Sequence, residues 1–185
     1  MSREHTYHPS ATDEDLLPVV DGEDRVVGTA SRREVHARGL RHRAVHVVVR
    51  NGQGQVLLQK RGDGKDSFPG WWDVSVGGHV DPGEEYQEAA AREAAEELGI
   101  RGTALREVAR RPPTALSGHE FVRIYDCLYE GPVSPPPEEI SAVRWAGAEE
   151  LLQPDSAEGA RVTPSGLESI RLWAEAMQER GEWRR

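Results

Sequence analysis

The chain has 185 residues, of which 37% are hydrophobic and 30% are charged, and its net charge is −9. This composition is typical of one globular domain, and the acidic balance argues against general nucleic-acid binding, because phosphate backbones favour basic surfaces. No apolar run approaches the ~20 residues of a membrane span, no signal peptide is recognisable at the N-terminus, and Cys127 is the only cysteine. We therefore expect a cytoplasmic protein with a loose segment at 1–15 and a single domain over 16–185.

The first half of this domain has the pattern of a sheet with one short helix. Residues 16–20 and 25–29 flank an Asp-Gly turn and predict a β-hairpin. A helix follows, with Ser31 as its N-cap, Glu34 completing a capping box and Gly39 ending it. Further strands are predicted over residues 44–50, 55–60 and 71–76.

The second half contains the longest predicted helices. An Ala-rich helix is predicted over residues 86–98 and ends at Gly99. The final helix is predicted over residues 165–180, with Ser165 and Glu168 as its capping box. Strands are predicted over 105–110, 121–129 and 142–146, and a short helix over 149–152. Together these elements predict an α/β (α+β) fold, with a mixed β-sheet between helices.

Three carboxylates lie on one side of the helix over 86–98. At 100° per residue, Glu93, Glu96 and Glu97 fall within an arc of about 100°. Hard divalent cations such as Mg2+ prefer oxygen ligands and often bridge to substrate phosphates, so this cluster is a candidate metal site. Arg92 has the spacing to pair with Glu88 or Glu96 and to fix the carboxylates. A solvated acidic face explains the three glutamates equally well when they are considered alone.

The spacing around the helix is more specific than the carboxylates. Gly78 is followed after five residues by Glu84, and after seven more by Arg-Glu-Ala-Ala-Glu-Glu-Leu-Gly-Ile over residues 92–100. This pattern resembles the Nudix box at every defined position. The resemblance implies a Nudix fold, with the box as loop–helix–loop, and hydrolysis of a nucleoside diphosphate linked to a further moiety. The implied partners are a small diphosphate or nucleotide substrate and Mg2+ (or Mn2+), and a homodimer is reasonable for this fold.

The resemblance also implies roles for the residues of the box. Glu93, Glu96 and Glu97 match the metal-binding glutamates, and Glu93 or Glu97 also steers the attacking water in members of the family. Glu84 would support the site through Arg92. Gly78 would let the backbone approach the metal.

The flanks of the box resemble the Nudix branch that includes type I isopentenyl-diphosphate isomerase. The similar segments are 41–46, 56–61 and 68–79, and the likeness extends over roughly residues 16–150. It implies a His-rich metal or substrate site, in which His42 and His79 match two metal ligands, His36 corresponds to a third with a shift in spacing, and Glu120 matches one acidic residue.

Two departures from the isomerase favour a hydrolase. The catalytic cysteine of the isomerase falls on Gly77 and its other acidic residue on Gly118, so an acid–base pair is missing. Isomerisation of isopentenyl diphosphate and non-catalytic nucleotide sensing stay as the alternatives.

Several side chains near the box are candidates for substrate binding. Four cations that flank the predicted sheet are candidates for binding phosphate, although solvated strand-edge charges are an equally good interpretation: Arg41, Arg43, Lys60 and Arg61. Trp71 and Trp72 are candidates to stack on a base, or to pack at the rim of the core. The loops over 61–70 and 111–120 are expected to select the substrate, whose identity the sequence leaves open.

Overall fold

The computed structural model describes residues 13–65, 67–147, 150–151 and 161–183. The helices are α1 (Arg32–Arg38), α2 (Tyr86–Leu98) and α3 (Pro164–Glu179), and a short 3-10 turn covers Ala115–Ser117. The strands are β1 (Leu16–Val20), β2 (Val26–Ser31), β3 (His42–Arg50), β4 (Gln55–Arg61), β5 (Trp72–Asp73), β6 (Val76–His79), β7 (Arg106–Arg111), β8 (Glu120–Leu128) and β9 (Ile140–Gly147). No helix in these ranges is long and apolar enough to cross a lipid bilayer.

The sheet is mixed, and β3 is its central strand. β3 pairs in parallel with β8 along its whole length and antiparallel with β6, while β7 continues the sheet beyond β8. A second group of strands is formed by β4, which pairs antiparallel with β5 and β9. The predicted hairpin is formed by β1 and β2.

Helices cover the two faces of this sheet, as the predicted fold requires. One core cluster joins Val45, Val47 and Leu57 to the buried alanines of α2. The other cluster joins Val48 and Leu58 to Ile170 and Trp173 of α3. Successive residues of β3 therefore point to opposite helices, which explains why the strand is a nearly continuous run of Val. The α/β sandwich predicted from the element order is confirmed.

The helix boundaries follow from their caps. Ser31 accepts a hydrogen bond from the Glu34 backbone N–H at the start of α1, and Gly39 ends that helix with φ +60°. Gly99 ends α2 with φ +73°, as predicted, because glycine adopts the left-handed conformation without steric cost. At the start of α2, the Glu85 backbone N–H donates to the side chain of Glu88.

The single strand predicted over residues 71–76 is wrong. The chain instead forms β5, which pairs with β4, and then crosses to form β6, which pairs with β3. Ser75 makes the crossing possible, because its buried hydroxyl donates to the Leu57 carbonyl at 2.5 Å and accepts from the Val49 backbone N–H at 2.8 Å. Sequence alternation detected the extended backbone but not the change of partner strand.

The predicted cap of the last helix is also wrong. Thr163, rather than Ser165, is the N-cap of α3 and accepts a hydrogen bond from the Gly166 backbone N–H at 3.0 Å. Pro164 occupies the first turn, where its missing N–H costs nothing. Ser165 accepts instead from the guanidinium of Arg111.

Two other predictions fall partly outside the described residues. Residues 150–151 are helical, but the rest of the helix predicted over 149–152 is not described. Of the segment 1–15, only residues 13–15 are described, and the carbonyls of Asp13 and Asp15 accept hydrogen bonds from the start of α1.

Candidate metal and diphosphate site

Strand β6 brings two bare glycines against the carboxylates of α2. A Cβ atom at Gly78 would lie 2.0 Å from the carboxyl carbon of Glu93, so any other residue at this position would displace that carboxylate. The backbone N–H of Gly77 donates to the Glu97 carboxylate at 3.1 Å. The absence of a side chain at Gly78 therefore leaves room for the Glu93 carboxylate against β6, and the sequence spacing of the box encodes that contact.

Glu97 is held from two sides. Besides the Gly77 N–H, the side-chain amide of Gln59 donates to its Oε2 atom at 3.0 Å. Burial raises the pKa of Glu97, and the charge of Glu93 raises it further. Burial also raises the pKa of Glu93, although the Arg92 guanidinium opposes the shift. Two such carboxylates ionise together most favourably when a cation lies between them.

Arg92 organises the acidic groups around the box. Its guanidinium donates two hydrogen bonds of 3.0 Å to Glu84, one of 2.8 Å to Glu93 and one of 3.3 Å to Glu96. It also donates to the backbone carbonyl of His79 at 2.9 Å, which joins α2 to β6. Burial alone would lower the pKa of Arg92, but the hydrogen bonds to Glu84 and the charge of Glu93 raise it, so this cation stays charged.

Glu96 lies at the outer side of the cluster, where its side chain is 35% exposed against 14% for Glu93. Among the described residues, His36, His42 and His79 have possible metal-ligand atoms that all lie within 4.8 Å of one another. Glu93, Glu96 and Glu97 do not form such a group. Mutual repulsion, together with the pairing of Glu93 and Glu96 to Arg92, accounts for the wider spacing of the carboxylates.

The histidines form a second cluster on the other side of β6. The ring atoms of His36, His42 and His79 approach within 4.8 Å, and Glu120 lies 3.7 Å from His42 and 3.6 Å from His79. The two Nε2 atoms, of His42 and His79, are buried and have no hydrogen-bond partner. The parallel register of β3 and β8 places His42 directly opposite Glu120, and α1 carries His36.

Within this cluster, His36 and His79 favour the neutral imidazole, and Glu120 favours the ionised carboxylate. Burial lowers the pKa of His36 to about 4, and it also lowers the pKa of His79. Burial alone would raise the pKa of Glu120, but the imidazoles of His42 and His79 hold it below its ordinary range. The Nδ1 atom of His42 lies 2.9 Å from the Leu40 carbonyl, which leaves Nε2 directed into the cluster.

The predicted phosphate-binding cations have different surroundings. Arg43 donates to the carboxylate of Asp24 at 2.7 Å and lies over the ring of Tyr86, at the start of α2. Arg61 donates to the Ser67 carbonyl and to Asp73, within the loop after β4. Arg41 is exposed and Lys60 is half-buried.

Three residues near the site were missed by the sequence analysis. Gln59 binds Glu97 directly, and the charge of Lys65 lowers the pKa of Glu97, although burial dominates that pKa. His46 lies behind Gly77, with its Nδ1 atom 2.7 Å from the Ser169 hydroxyl of α3. Only the sheet register and the loop after β4 bring these residues to the site, so no local sequence signal identifies them.

Cys127 is a core residue. It is fully buried in the cluster under α2, and burial raises the pKa of its thiol to about 11. A thiol with a raised pKa in the core is a poor nucleophile.

Comparisons with known proteins define the class. The model of the NUDIX domain matches residues 40–165. An uncharacterised Nudix hydrolase of Yersinia pestis is 37% identical over 157 residues, which cover 85% of this chain and 84% of the relative. Another from Streptomyces coelicolor is 38% identical over 173 residues, covering 89% and 92% of the two chains.

A solved structure agrees with this class. The crystal structure of DR0079 from Deinococcus radiodurans superposes with a TM-score of 0.74 at 34% identity, over 85% of this chain and 98% of that one. The chain belongs to the Nudix hydrolase family, and its enzymatic class is that of the Nudix pyrophosphohydrolases.

Proposed function

We propose that the protein hydrolyses the diphosphate bond of a nucleoside diphosphate linked to a further group, with Mg2+ or Mn2+ held by Glu93, Glu96 and Glu97. The observation that carries the proposal is the contact of Glu93 and Glu97 with the bare backbone of Gly77 and Gly78. This contact fixes the directions of the two carboxylates before any cation binds, which reduces the cost of organising the site.

Each residue of the box has a role in this proposal. Glu93, Glu96 and Glu97 would hold the cation, and Glu93 or Glu97 would also accept a proton from the attacking water. Arg92 positions Glu93 and Glu96 and is itself held by Glu84. When bound, the divalent cation neutralises phosphate charge and lowers the pKa of a bound water.

The test compares two glutamate-to-glutamine variants on the same helix. Glu97→Gln removes a buried carboxylate of the site, whereas Glu88→Gln changes a side chain whose contact is the Glu85 backbone N–H. We expect Glu97→Gln to lower kcat by a factor on the order of 10²–10⁴, the usual contribution of a positioned proton acceptor. Glu88→Gln should keep near wild-type kcat. Phosphate release from a nucleotide panel with Mg2+ measures both, and unchanged turnover in Glu97→Gln would remove Glu97 from the site.

We also propose that His36, His42, His79 and Glu120 hold a second divalent cation. The supporting observation is the pair of buried Nε2 atoms without partners, because buried polar atoms are rarely left unsatisfied. Imidazole nitrogens with one carboxylate suit a transition metal such as Zn2+ or Mn2+ better than Mg2+.

Co2+ provides a readout of this site that does not depend on activity. The loaded wild-type protein should show the visible absorption of Co2+ with nitrogen ligands, and His79→Gln should lose it. His119→Gln is the matched control, since the ring of His119 lies against Gly39 outside the cluster. Retention of the full Co2+ spectrum in His79→Gln would contradict the proposed ligands.

Isopentenyl-diphosphate isomerisation is the alternative that the histidine cluster favours. Against it, Gly77 supplies no acid or base, and the space a side chain would take there is bordered by the ring of His46 at 3.3 Å. A proton-exchange assay on isopentenyl diphosphate separates hydrolysis from isomerisation, and isomerisation by the purified protein would favour the isomerase.

The other alternative is a sensor of nucleotides. Nucleotide binding without turnover, with each of the metals tried, would favour that function. A homodimer and the 16–185 domain boundary stay predictions.

A further inference from the structure

The loop between β4 and β5 presents two aromatic rings beside the candidate site. The side chain of Phe68 is 41% exposed, and its ring centroid lies 5.1 Å from that of Trp71, with a tilt of 58° between the rings. The guanidinium of Arg161, three residues before the start of α3, lies 5.9 Å from the centre of the Trp71 ring. Trp71 is half-buried, so the pair combines a fixed inner ring with an exposed outer ring.

Phe68 is held in a costly backbone conformation. Its φ is +50°, one of three positive values among the described non-glycine residues. A bulky residue in this region is strained by ~1–2 kcal/mol, and a ring that is 41% exposed recovers little of that by burial. Strain of this kind persists where surrounding contacts impose it, and it concentrates at binding and catalytic sites.

Specific hydrogen bonds impose the conformation. The Trp71 backbone N–H donates to the Phe68 carbonyl at 3.2 Å, and the Gly70 N–H donates to the Arg61 carbonyl at 3.1 Å. The side chain of Arg61 donates to the Ser67 carbonyl at 2.9 Å. The described part of the loop over residues 67–71 is therefore organised in advance with its aromatic rings presented, which lowers the ordering cost of binding a flat ligand group.

The aromatic pair lies within one substrate length of the carboxylates. The Arg61 backbone N–H donates to the Trp71 carbonyl at 2.9 Å, so Trp71 lies opposite Arg61. Gln59, whose side chain holds Glu97, is two residues earlier on β4. Two residues of strand span about 7 Å. A ligand whose diphosphate is bound at Glu97 can therefore place its next group over this loop.

Trp72, the neighbouring residue, has a different environment. It packs against the core cluster under α3, and Arg144 lies 4.9 Å from its ring. Both tryptophans were candidates for base stacking. Trp72 packs against the core, whereas Trp71 lies beside the exposed Phe68.

We propose that Phe68 and Trp71 form a stacking subsite for the aromatic base of the substrate, which makes the enzyme selective for nucleoside diphosphates over diphosphates without a ring. This inference rests on the proposed function, because it assumes that the diphosphate lies at Glu93 and Glu97. An aromatic face accepts any base, so the subsite selects a ring rather than one particular base.

Non-hydrolysable probes of two kinds, with and without a base, test the subsite in the full-length protein with Mg2+. The first is α,β-methylene-ADP, with its cytidine counterpart, and the second is methylenediphosphonate, which has no ring. By calorimetry, Phe68→Leu and Trp71→Leu should each weaken nucleotide binding roughly tenfold, the effect of losing one base–aromatic stack. Both variants should leave methylenediphosphonate binding within about twofold, because leucine keeps apolar bulk without a π-face.

Two further variants sharpen the result. Phe68→Tyr keeps the aromatic ring and should bind nucleotides as the wild type does. Leu128→Ala changes another exposed apolar residue, at the end of β8, and should change neither affinity. Equal weakening of both probes, or unchanged nucleotide affinity in both leucine variants, would overturn the subsite. A failure of the proposed function would give a different result. Methylenediphosphonate would then bind without a divalent metal, or would bind the Glu97→Gln variant as tightly as the wild type.

Discussion

At the scale of single residues, Gly78 is the glycine that lies against a carboxylate of the candidate site. Its Cα lies so close to Glu93 that a methyl group would enter the carboxylate. Gly77, its neighbour, is constrained more mildly, since a Cβ there would meet the His46 ring at 3.3 Å. The two glycines thus have different reasons to be glycine, one from the carboxylate site and one from packing.

Gly78→Ala should displace Glu93 and lower metal affinity at least tenfold, with a comparable loss of kcat/KM. The physical reason is the 2.0 Å approach of the added Cβ to the Glu93 carboxyl carbon. Gly28→Ala is the control, because a Cβ at Gly28 meets nothing within 4 Å. Mg2+ titration followed by calorimetry measures the effect, and wild-type affinity in Gly78→Ala would show that Glu93 does not need its present position.

His46 gives a residue-scale prediction for pH. Burial lowers its pKa to about 4, so the folded protein holds this imidazole neutral while the unfolded chain protonates it near pH 6.5. Above about pH 6.5 the imidazole is neutral in both states, and the stability of the fold is complete. As the pH falls from 6.5 towards 4, the unfolded chain gains a proton that the folded protein does not bind, so the free energy of unfolding falls. At pH 5 the free energy of unfolding should be about 2 kcal/mol lower than above pH 6.5 because of this one group.

The measurement is chemical denaturation of wild type and His46→Asn at pH 7.5 and pH 5. Because other groups also titrate in this range, the prediction concerns the difference between the two proteins. That difference should shrink on acidification, and a constant difference would mean that His46 titrates normally.

At the scale of elements, the caps were only partly predictable. The sequence located α1 and α2 well, because Ser31, Gly39 and Gly99 act within their own turns. It misplaced the cap of α3, because Ser165 and Glu168 have the spacing of a capping box although Thr163 is the N-cap. The choice depends on Asp73, a residue of β5 that accepts a hydrogen bond from the Thr163 hydroxyl at 2.7 Å.

Thr163→Ala should destabilise the protein by about 1–2 kcal/mol, the usual cost of a lost N-cap. The variant loses both the bond from the Gly166 N–H and the bond to Asp73. Thr163→Ser, which keeps the hydroxyl, should recover most of the free energy of unfolding. If serine and alanine were equally destabilising, the methyl group rather than the cap would matter.

At the scale of the whole molecule, Asp126 connects the layers of the fold. This buried carboxylate on β8 accepts hydrogen bonds from Arg50 of β3 at 2.8 Å, from Arg106 of β7 at 3.3 Å and from the indole of Trp173 in α3 at 3.0 Å. The network is one of the features that fix α3 on its face of the sheet.

Asp126→Asn should lower the free energy of unfolding by ~3–5 kcal/mol, because it leaves the mostly buried guanidinium of Arg50 without its charge partner. Glu182→Gln is the control, since Glu182 pairs with the same Arg106 at 2.6 Å but is more exposed. Such surface pairs contribute about 0–1 kcal/mol. Urea denaturation of both variants checks the contrast, and similar losses would mean that burial of Asp126 has little energetic importance.

The sequence by itself determined the family, the helix of the box and its carboxylates, because Gly78, Arg92 and the three glutamates interact across a single loop–helix–loop with fixed spacing. It also indicated His42, His79, Glu120 and, with a shift in spacing, His36, through a resemblance rather than through a local physical pattern. The assembly of His36 with these residues was decided by the tertiary structure, since α1, β3, β6 and β8 meet there from distant parts of the chain. The same holds for Gln59 against Glu97 and for Phe68 beside Trp71, whose positions depend on strand register and loop geometry. Local periodicity and capping are short-range effects, whereas register and crossing are fixed by packing of the complete core.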